Sequence, residues 1–385
     1  MLPNYTPVQW LQIGLSAAFG HDKLSFNDRL KWVMNQPALP DGLICSDNAE
    51  EPAYALAMLD GLLGNHQVRV HLDGTASGTQ ILAAFANCKK SGTHCNLFGE
   101  ARQDAYTNAW KAMGMTDFIP RKEFKKAFMT SQFGSRKVPR ERLGEQNLPA
   151  FYDMYQREFP GVWGVLNYIQ GLWQSEVHSH RWTMPDGFEV IQWNNGLQEE
   201  EVTLFGQQVK VRKQVHTQEH RGISLAANVT HSSDGFICRE MVKRAQIDPA
   251  EAQDTIDYGF EVLAAPHEDL AGLLYLYRKT QFLSVDLIKV MDFTTYQEKL
   301  TEAEMLEIQM LLEHLANKKQ FNLVPIHDSF SCEAMYCNDM CSMYAYLMQQ
   351  LWDSTLLESI ANDITGKWEN NRKYPAILDG VHMIC

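Results

Sequence analysis

The sequence contains no apolar run approaching the roughly 20 residues that a helix needs to cross a bilayer. Its first residues lack the charged and apolar regions of a secretion signal. Eight cysteines in a chain of 385 residues without such a signal indicate reduced thiols rather than a disulfide framework. These absences predict a cytoplasmic protein with no membrane partner.

Internal repeats, low-complexity runs and paired Cys-x-x-Cys motifs are also missing. Cys332, Cys337 and Cys341 lie close together, but their spacing is poor for a zinc site, and a partly buried helix explains them better. With 45% hydrophobic residues, the chain is apolar enough to bury a large core. We expect two or three subdomains.

Positive charge is scarce overall, since the formal net charge is -13 at pH 7. One stretch differs, because eight lysines or arginines stand against two glutamates between Arg121 and Arg142. A local excess of positive charge in an acidic protein indicates a phosphate-binding site. The alternative is an ordinary solvated surface helix.

The start of this basic stretch has a helical pattern. Pro120 stands where a helix can begin, and Gly134 stands where it can end. Between them, four residues recur at every fourth position and share one face: Arg121, Lys125, Met129 and Phe133. An aromatic ring and a glycine at the end of a cationic row favour a functional face over a solvated one.

Asp73 ends a strand-like run in which valine and leucine alternate with polar residues. Gly74 permits a tight turn, and a mostly apolar helix is predicted over residues 77–87. Taken alone, an Asp-Gly pair after a strand is usually only a turn.

Asp328 follows a second strand-like run, Leu323 to Ile326, within the triplet His327, Asp328 and Ser329. Pro325 cannot donate to a sheet ladder, which predicts an edge or bulge position for this strand. Two carboxylates at neighbouring strand ends can hold two hard cations. Such a pair of cations activates an attacking hydroxyl and stabilises a leaving pyrophosphate.

These three segments resemble motifs A, B and C of the single-subunit, phage-type RNA polymerases, relatives of mitochondrial RNA polymerase and of the DNA polymerase I superfamily. Motif A is similar to Asp73-Gly74, and motif C is similar to the triplet that contains Asp328. Motif B, Arg-x3-Lys-x7-Tyr-Gly, is similar to a set of four residues: Arg121, Lys125, Phe133 and Gly134. Three further segments resemble family blocks: Trp10 to Val33, Trp182 to Trp193, and Asn228 to Arg239.

The resemblance implies a role for each matched residue. Asp73 and Asp328 would bind two catalytic Mg2+ ions, with the Gly74 carbonyl as a further ligand. Arg121 and Lys125 would hold the incoming triphosphate. Three residues would contact the rest of the nucleotide: Phe133 and Gly134 at the sugar and base, and His231 beside the 2′-hydroxyl.

Whether the product is RNA or DNA depends on whether the site accepts the 2′-hydroxyl of the ribose. DNA polymerases of this superfamily carry a glutamate five residues after the motif A aspartate, where this chain has Gly78, and glycine leaves room for a 2′-hydroxyl. Phe133 replaces the family's tyrosine and removes a hydroxyl near the ribose, which predicts weaker discrimination against deoxynucleotides. Gly78 and His231 together favour RNA synthesis, and a DNA polymerase of the same superfamily is the alternative.

The fold implied by the resemblance is α+β and helix-rich, a right-hand polymerase palm and fingers with most of the thumb and the N-terminal domain missing. The predicted divisions are palm entry and motif A (1–97), helix-dominated fingers with motif B (98–227), a palm-associated block (228–242), a helical insertion (243–319), and the palm with motif C and the C-terminal tail (320–385). The insertion is either a docking surface or a scaffold extension. A small antiparallel sheet should bring Asp73 and Asp328 together, with the C-terminal tail beside it.

Only 72 residues precede Asp73 and no Arg-Gly-Arg segment occurs, whereas family members carry several hundred residues there. We therefore expect a second polymerase subunit that supplies the thumb and the Arg-Gly-Arg segment. Such an enzyme resembles the heterodimeric RNA polymerases of N4-like phages, whose larger subunit carries motifs A to C. The alternative is that the sequence is a piece of a longer chain.

The other partners implied by the resemblance are a DNA template, nascent RNA and ribonucleoside triphosphates, in the cytoplasm of an infected bacterial host cell. A promoter-opening accessory or single-stranded DNA-binding protein is expected because the promoter-binding elements are missing. A non-catalytic template-binding subunit with a polymerase fold is the remaining alternative.

Overall fold

The computed structural model describes residues 3–36, 46–65, 67–216, 222–259, 270–292, 296, 299–367 and 376–385. Within these residues the chain is a helix-rich α+β protein with three small antiparallel sheets, and the coarse fold class predicted from the sequence is confirmed. None of the described helices is both long enough and apolar enough to cross a membrane.

Seventeen α-helices have bounds within the described residues. In chain order they are α1 (Pro7–Ser16), α2 (Phe26–Met34), α3 (Pro52–Leu62), α4 (Ser77–Phe85), α5 (Lys89–His94), α6 (Ala105–Ala112), α7 (Arg121–Ser131), α8 (Lys137–Leu143), α9 (Leu148–Glu158), α10 (Pro160–Gly171), α11 (Ile223–Ala245), α12 (Pro249–Tyr258), α13 (Leu270–Thr280), α14 (Val285–Val290), α15 (Glu302–Ala316), α16 (Cys337–Asp353) and α17 (Leu356–Thr365).

Among the described residues, seven strands form one three-stranded sheet and two hairpins. In chain order they are β1 (Arg69–Asp73), β2 (Ser179–Thr183), β3 (Glu189–Trp193), β4 (Asn195–Leu204), β5 (Gln207–His216), β6 (Val324–Ile326) and β7 (Ser329–Glu333). The three-stranded sheet has the order β1-β7-β6, and β2 pairs with β3 and β4 with β5.

The three-stranded sheet joins two distant parts of the chain. β1 is buried at Val70 and Leu72, while His71 between them is exposed, which is the alternation that the sequence predicts. β7 pairs antiparallel with β1 and places Ser329 opposite Asp73. β6 lies at the edge of the sheet, where a proline is tolerated, and the prediction from Pro325 is confirmed.

The described C-terminal residues run beside β1. Asp73 and Cys385 exchange two backbone hydrogen bonds, with N···O distances of 3.1 and 2.9 Å, and Gly74 forms a bridge with Ile384. The predicted position of the C-terminal tail beside the sheet is confirmed for residues 383–385, whereas Gly380 and Val381 bond to the backbone at Leu97 and Gly99. Pro375, the first residue of that predicted segment, lies outside the described residues.

Helix α4 is the centre of the main core. Every residue from Gly78 to Phe85 is buried, and the helix packs against α10, α11 and α16. The predicted helix over residues 77–87 is confirmed apart from its last two residues, because Asn87 has a left-handed φ of 49°. Burial on all sides explains why this segment is apolar without amphipathic periodicity.

The expectation that helices dominate residues 98–227 is wrong beyond α10. The segment 179–216 forms two hairpins, and the second has a two-residue loop of Phe205 and Gly206 with φ values of 51° and 82°. Left-handed residues at both loop positions match the twist of paired strands. The helical expectation came from the family resemblance, whereas Asp186-Gly187 and Phe205-Gly206 are local turn signals.

A second hydrophobic core lies within residues 247–315, where helices α12 to α15 pack together. The predicted helical character of residues 243–319 holds where the structure describes them, and Thr301 begins α15 with a capping box to Glu304. A buried ion pair on α11 connects the two cores: Arg244 Nε lies 2.8 Å from Glu240, Glu240 accepts a hydrogen bond from the Ser284 hydroxyl at 2.6 Å, and Arg244 donates to the Leu283 carbonyl at 2.9 Å. The domain boundaries themselves stay predictions.

His314 on α15 makes the contact between the two cores dependent on pH. Its ring stacks on Tyr346 of α16 with centroids 4.4 Å apart, and burial beside Arg244 and Lys318 lowers its pKa to about 4. An unfolded histidine takes up its proton near pH 6.5, so folded-state stability is present above that pH and is lost as the pH falls towards 4. We expect up to about 3 kcal/mol of unfolding free energy to disappear in that window.

The variant H314F keeps a ring against Tyr346 and removes the titrating group. Urea unfolding at several pH values between 4 and 7 should give the variant a flatter pH dependence than the wild type, and other titrating groups cancel in the comparison. Equal slopes for the two proteins would contradict this prediction.

Candidate active site

The two aspartates predicted from the sequence lie at the same end of the central sheet. Asp73 is the last residue of β1, and Asp328 belongs to the two-residue turn that connects β6 to β7. The Gly74 amide donates to the Asp328 carbonyl at 2.9 Å. Asp328 therefore reaches Asp73 from the turn before β7, rather than from the end of its own strand-like run.

Strained backbone surrounds both aspartates. His327, directly before Asp328, has a φ of 57°, and Ala76, three residues after Asp73, has a φ of 61°. For residues with a side chain the left-handed region costs about 1 to 2 kcal/mol. Such strain is typical of functional sites, where the surrounding structure holds a costly conformation.

A cavity of about 300 Å³ opens beside the two aspartates. Six of the predicted site residues line it: Asp73, Gly74, Gly78, Lys125, Phe133 and Asp328. Three others are placed near it without lining it: Arg121, Gly134 and His231. The structure thus brings most of the predicted residues to one site from three distant parts of the sequence.

Helix α7 presents the cationic face that the sequence predicts. A neighbouring face is buried through Phe124 and Phe128, whose rings stack with centroids 5.8 Å apart, and Lys125 lines the cavity. The Lys125 ammonium lies 5.2 Å from the centre of the Tyr106 ring. Within the part of the chain that the structure describes, Lys125 has no ion pair and is available to a ligand anion.

Arg121 is engaged by the protein itself. Its guanidinium forms an ion pair with Asp104, the residue that caps α6, and its Nε donates to Thr107 Oγ1 at 2.6 Å. Burial raises the pKa of Asp104, but hydrogen bonds from Thr107 and the Arg121 guanidinium outweigh burial and hold it below its usual range. Arg121 therefore fastens the start of α7 to the start of α6.

Phe133 and His231 form one flat wall near Gly78. Their rings are stacked, with centroids 4.6 Å apart and an interplanar angle of 6°. A Cβ atom added at Gly78 would lie 3.4 Å from the Phe133 ring and 3.7 Å from Thr230 Cγ2. A methyl group would fit there, but a long side chain would meet the ring, so glycine keeps this corner of the site open.

Two carboxylates and a hydroxyl lie together at the cavity, and two of these groups, Asp328 and the Ser77 hydroxyl, line it. The Ser77 hydroxyl donates to Asp328 Oδ2 at 2.9 Å. Asp234, on α11, is mostly buried beside them, and burial followed by the nearby Asp328 charge raises its pKa to about 6. Asp234 was not predicted as a site residue, although it follows His231 by three positions and so lies on the same side of the helix.

Tyr106 is a second residue that the sequence prediction missed. It lines the cavity beneath Lys125, and burial together with Asp328 and Asp104 raises its pKa to about 12. A neutral hydroxyl is therefore kept at this wall near neutral pH. No local pattern marks Tyr106, because its approach to Lys125 depends on the packing of α6 against α7.

The arrangement of Asp73 and Asp328 suits a hard divalent cation. Neither carboxylate forms an ion pair with any described lysine, arginine or histidine, and Ser77 is the one hydrogen-bond donor recorded for either side chain. Asp73 is exposed and Asp328 is half-buried, and an unpaired carboxylate that is partly removed from water is stabilised by a cation or a hydrogen-bond donor. Carboxylate and carbonyl oxygens are the ligands that Mg2+ prefers.

Comparison with known proteins adds no assignment. No protein-family model matches the chain, and no curated protein matches it. The cavity and its side chains are therefore the basis for a functional proposal.

Asp234 makes the site less stable when it is ionised. Because its folded pKa is raised from 3.8 to about 6, its contribution to stability is complete below pH 3.8 and is lost as the pH rises through 6. We expect D234N to unfold at higher urea concentration than the wild type at pH 8, with a gain of up to about 3 kcal/mol, and to lose that advantage near pH 4. Unfolding is measured without divalent cations, and an advantage independent of pH would contradict the prediction.

Proposed function

We propose that the chain is the catalytic subunit of a DNA-dependent RNA polymerase that performs template-directed ribonucleotidyl transfer by a two-metal mechanism. One observation carries the proposal: Asp73 and Asp328, without cation partners among the described residues, share a cavity with the unpaired Lys125 and the Phe133 ring. This reaction requires carboxylates that bind cations, an ammonium group that binds phosphate, and an aromatic wall that contacts the nucleoside.

Asp73, Asp328 and the Gly74 carbonyl would hold two Mg2+ ions. When bound, the ions supply activation of the attacking hydroxyl and stabilisation of the leaving pyrophosphate. Ser77 holds one oxygen of Asp328 and leaves the other free for a ligand. The strained turn at His327 sets the direction in which Asp328 enters the cavity.

Lys125 would offset the negative charge that develops on the leaving phosphates. Its ammonium lies over the Tyr106 ring, which orients the charge without neutralising it. Arg121 is the second phosphate ligand implied by the resemblance. Its ion pair with Asp104 would have to open before it could reach a phosphate.

The ribose would lie between Gly78 and the stacked rings of Phe133 and His231. Burial, followed by the nearby His327, lowers the pKa of His231, so its imidazole is neutral near pH 7 and can exchange a hydrogen bond with a hydroxyl. The open corner at Gly78 supports acceptance of a 2′-hydroxyl. A DNA polymerase is the second candidate, and the missing hydroxyl at Phe133 favours it.

The proposal includes the architecture that accompanies this chemistry. The sheet of β1, β7 and β6 would be the palm, and helices α6 to α10 would belong to the fingers. DNA template, nascent RNA and ribonucleoside triphosphates are the proposed partners. A second subunit with the thumb, an accessory protein for opening DNA, and action in a phage-infected bacterial cell follow from the resemblance alone.

Replacing Asp328 tests the proposed chemistry. D328N keeps the size of the side chain and can still accept the Ser77 hydrogen bond, but it removes a ligand charge. We expect primer extension with Mg2+ and ribonucleotides to fall by at least about a thousandfold, since the cations supply several kcal/mol of transition-state stabilisation. Extension is measured on a short primed DNA template.

A matched control is D153N, which removes an exposed carboxylate on α9. The midpoint temperatures of unfolding of D328N and D153N should both remain close to that of the wild type. D153N should also keep its primer-extension activity. Synthesis by D328N at the wild-type rate would refute the metal assignment.

The F133Y variant tests the ribose contact. A tyrosine hydroxyl at this wall adds a hydrogen-bonding group near the 2′-hydroxyl, and the ring keeps its stack on His231. We expect the preference for ribonucleotides over deoxynucleotides, measured as a ratio of kcat/KM values, to rise about twofold to tenfold. An unchanged ratio would place the ribose elsewhere, and equal use of both sugars by the wild type would favour the DNA polymerase.

A further inference from the structure

A second arginine lines the cavity and differs from Arg121 in its surroundings. Arg102, in the segment between α5 and α6, is half-buried at the cavity wall. Resting on the proposed function, we infer that Arg102 is the guanidinium that binds the oligophosphate of the nucleotide, together with Lys125. Arg121 then acts as a positioning residue for α7.

The guanidinium of Arg102 is held in place by neutral groups. Its Nε donates to Cys385 Sγ at 3.1 Å, and its Nη1 donates to the Lys23 carbonyl at 3.1 Å. The remaining nitrogen, Nη2, has no hydrogen-bond partner among the described residues, and no described carboxylate lies within ion-pair distance. Arg102 is therefore oriented but keeps its charge and one donor nitrogen for a ligand.

Two other cations near the cavity are already paired with carboxylates. Arg121 binds Asp104, and Lys23 forms an ion pair with its neighbour Asp22. A phosphate that approached Arg121 would compete with a carboxylate at hydrogen-bond distance, whereas one that approached Arg102 would displace only solvent. The free energy of binding therefore favours Arg102.

Neighbouring residues make the wall beside Arg102 positive. Arg29 is almost fully buried near it and donates to the backbone carbonyls of Leu24 and Asp22 rather than to a carboxylate. Burial, followed by Arg102 and Arg29, lowers the pKa of His382 to about 4. Burial is the larger cause of this shift and the two guanidinium groups add to it, which places two positive charges beside this wall.

The size and contents of the cavity identify the kind of anion. A volume of about 300 Å³ lies at the lower end of the range for small-molecule sites and suits a compact group rather than a duplex. The same cavity contains Asp73 and Asp328, which repel a bare anion. An oligophosphate that arrives with divalent cations satisfies both walls, because the carboxylates contact the cation and the guanidinium contacts the phosphate oxygens.

Binding of magnesium tripolyphosphate to the purified full chain tests this assignment, with isothermal titration calorimetry as the measurement. R102Q removes the charge, and we expect its affinity to fall at least about tenfold, as for loss of a hydrogen bond between charged groups. R102K keeps the charge without the planar fork and should bind about threefold to tenfold more weakly than the wild type.

Two further arginine variants complete the comparison. R140Q changes an exposed arginine of α8 outside the cavity and should bind as the wild type does. R121Q should weaken binding less than R102Q does. Its midpoint temperature of unfolding should fall, because the ion pair between Arg121 and Asp104 is lost. Wild-type affinity in R102Q, or a larger loss in R121Q than in R102Q, would overturn the inference. If R102Q fails to fold, wild-type affinity in R102K would overturn it.

A parallel titration with magnesium pyrophosphate distinguishes the two sources of the anion. If R102Q loses affinity for both probes, Arg102 binds the phosphates that leave as pyrophosphate. If R102Q loses affinity for tripolyphosphate alone, Arg102 binds the part of the incoming triphosphate that pyrophosphate lacks. Primer extension separates this inference from the proposed function. If oligophosphate binding depends on Arg102 but the wild type adds no nucleotides, the proposed polymerase function is refuted and the role of Arg102 stands. If the chain adds nucleotides and R102Q has the wild-type KM for the nucleotide, the role of Arg102 is refuted and the polymerase function stands.

Discussion

The pairing of β1 with β7 is the contact on which the candidate site depends. It joins two segments from opposite ends of the chain and sets Asp73 opposite Ser329, so that Asp328 in the preceding turn reaches the same place. A shift of one residue in this register would turn Val70 and Leu72 out of the core. Burial of these two side chains therefore fixes the geometry of the two carboxylates, and stability and chemistry share one cause.

Local features of this protein could be predicted from residue patterns, whereas the approach of Asp73 to Asp328 across a small sheet was expected only from the family resemblance. The helix after Asp73, the cationic face of α7 and the edge position of β6 follow from residue spacing, capping and proline chemistry. The ion pair of Arg121 with Asp104 and the place of Asp234 beside Asp328 depend on how separate helices pack, which no periodicity records. The hairpins of residues 179–216 had local turn signals, but the family resemblance pointed to helices.

The site accumulates costs that the rest of the fold offsets. Left-handed backbone at Ala76 and His327 and the raised pKa of Asp234 each oppose folding. Helix α4 begins directly after Ala76 and is buried along nearly its whole length. Burial of the helix offsets the cost of the left-handed backbone at Ala76. The second core, attached through Glu240 and Arg244, adds to the support on the far side of α11.

Asp73, Asp328, Lys125 and Arg102 all line the cavity, and none of them forms an ion pair with another described residue. Here Lys125 rests on a tyrosine ring, and Arg102 is held by a carbonyl and a thiol, while Asp73 and Asp328 are held by the sheet and its turn. Because each charge is fixed by neutral groups, a ligand that satisfies all of them must carry both signs. A polyphosphate with bound divalent cations has that property, and a simple anion or cation does not.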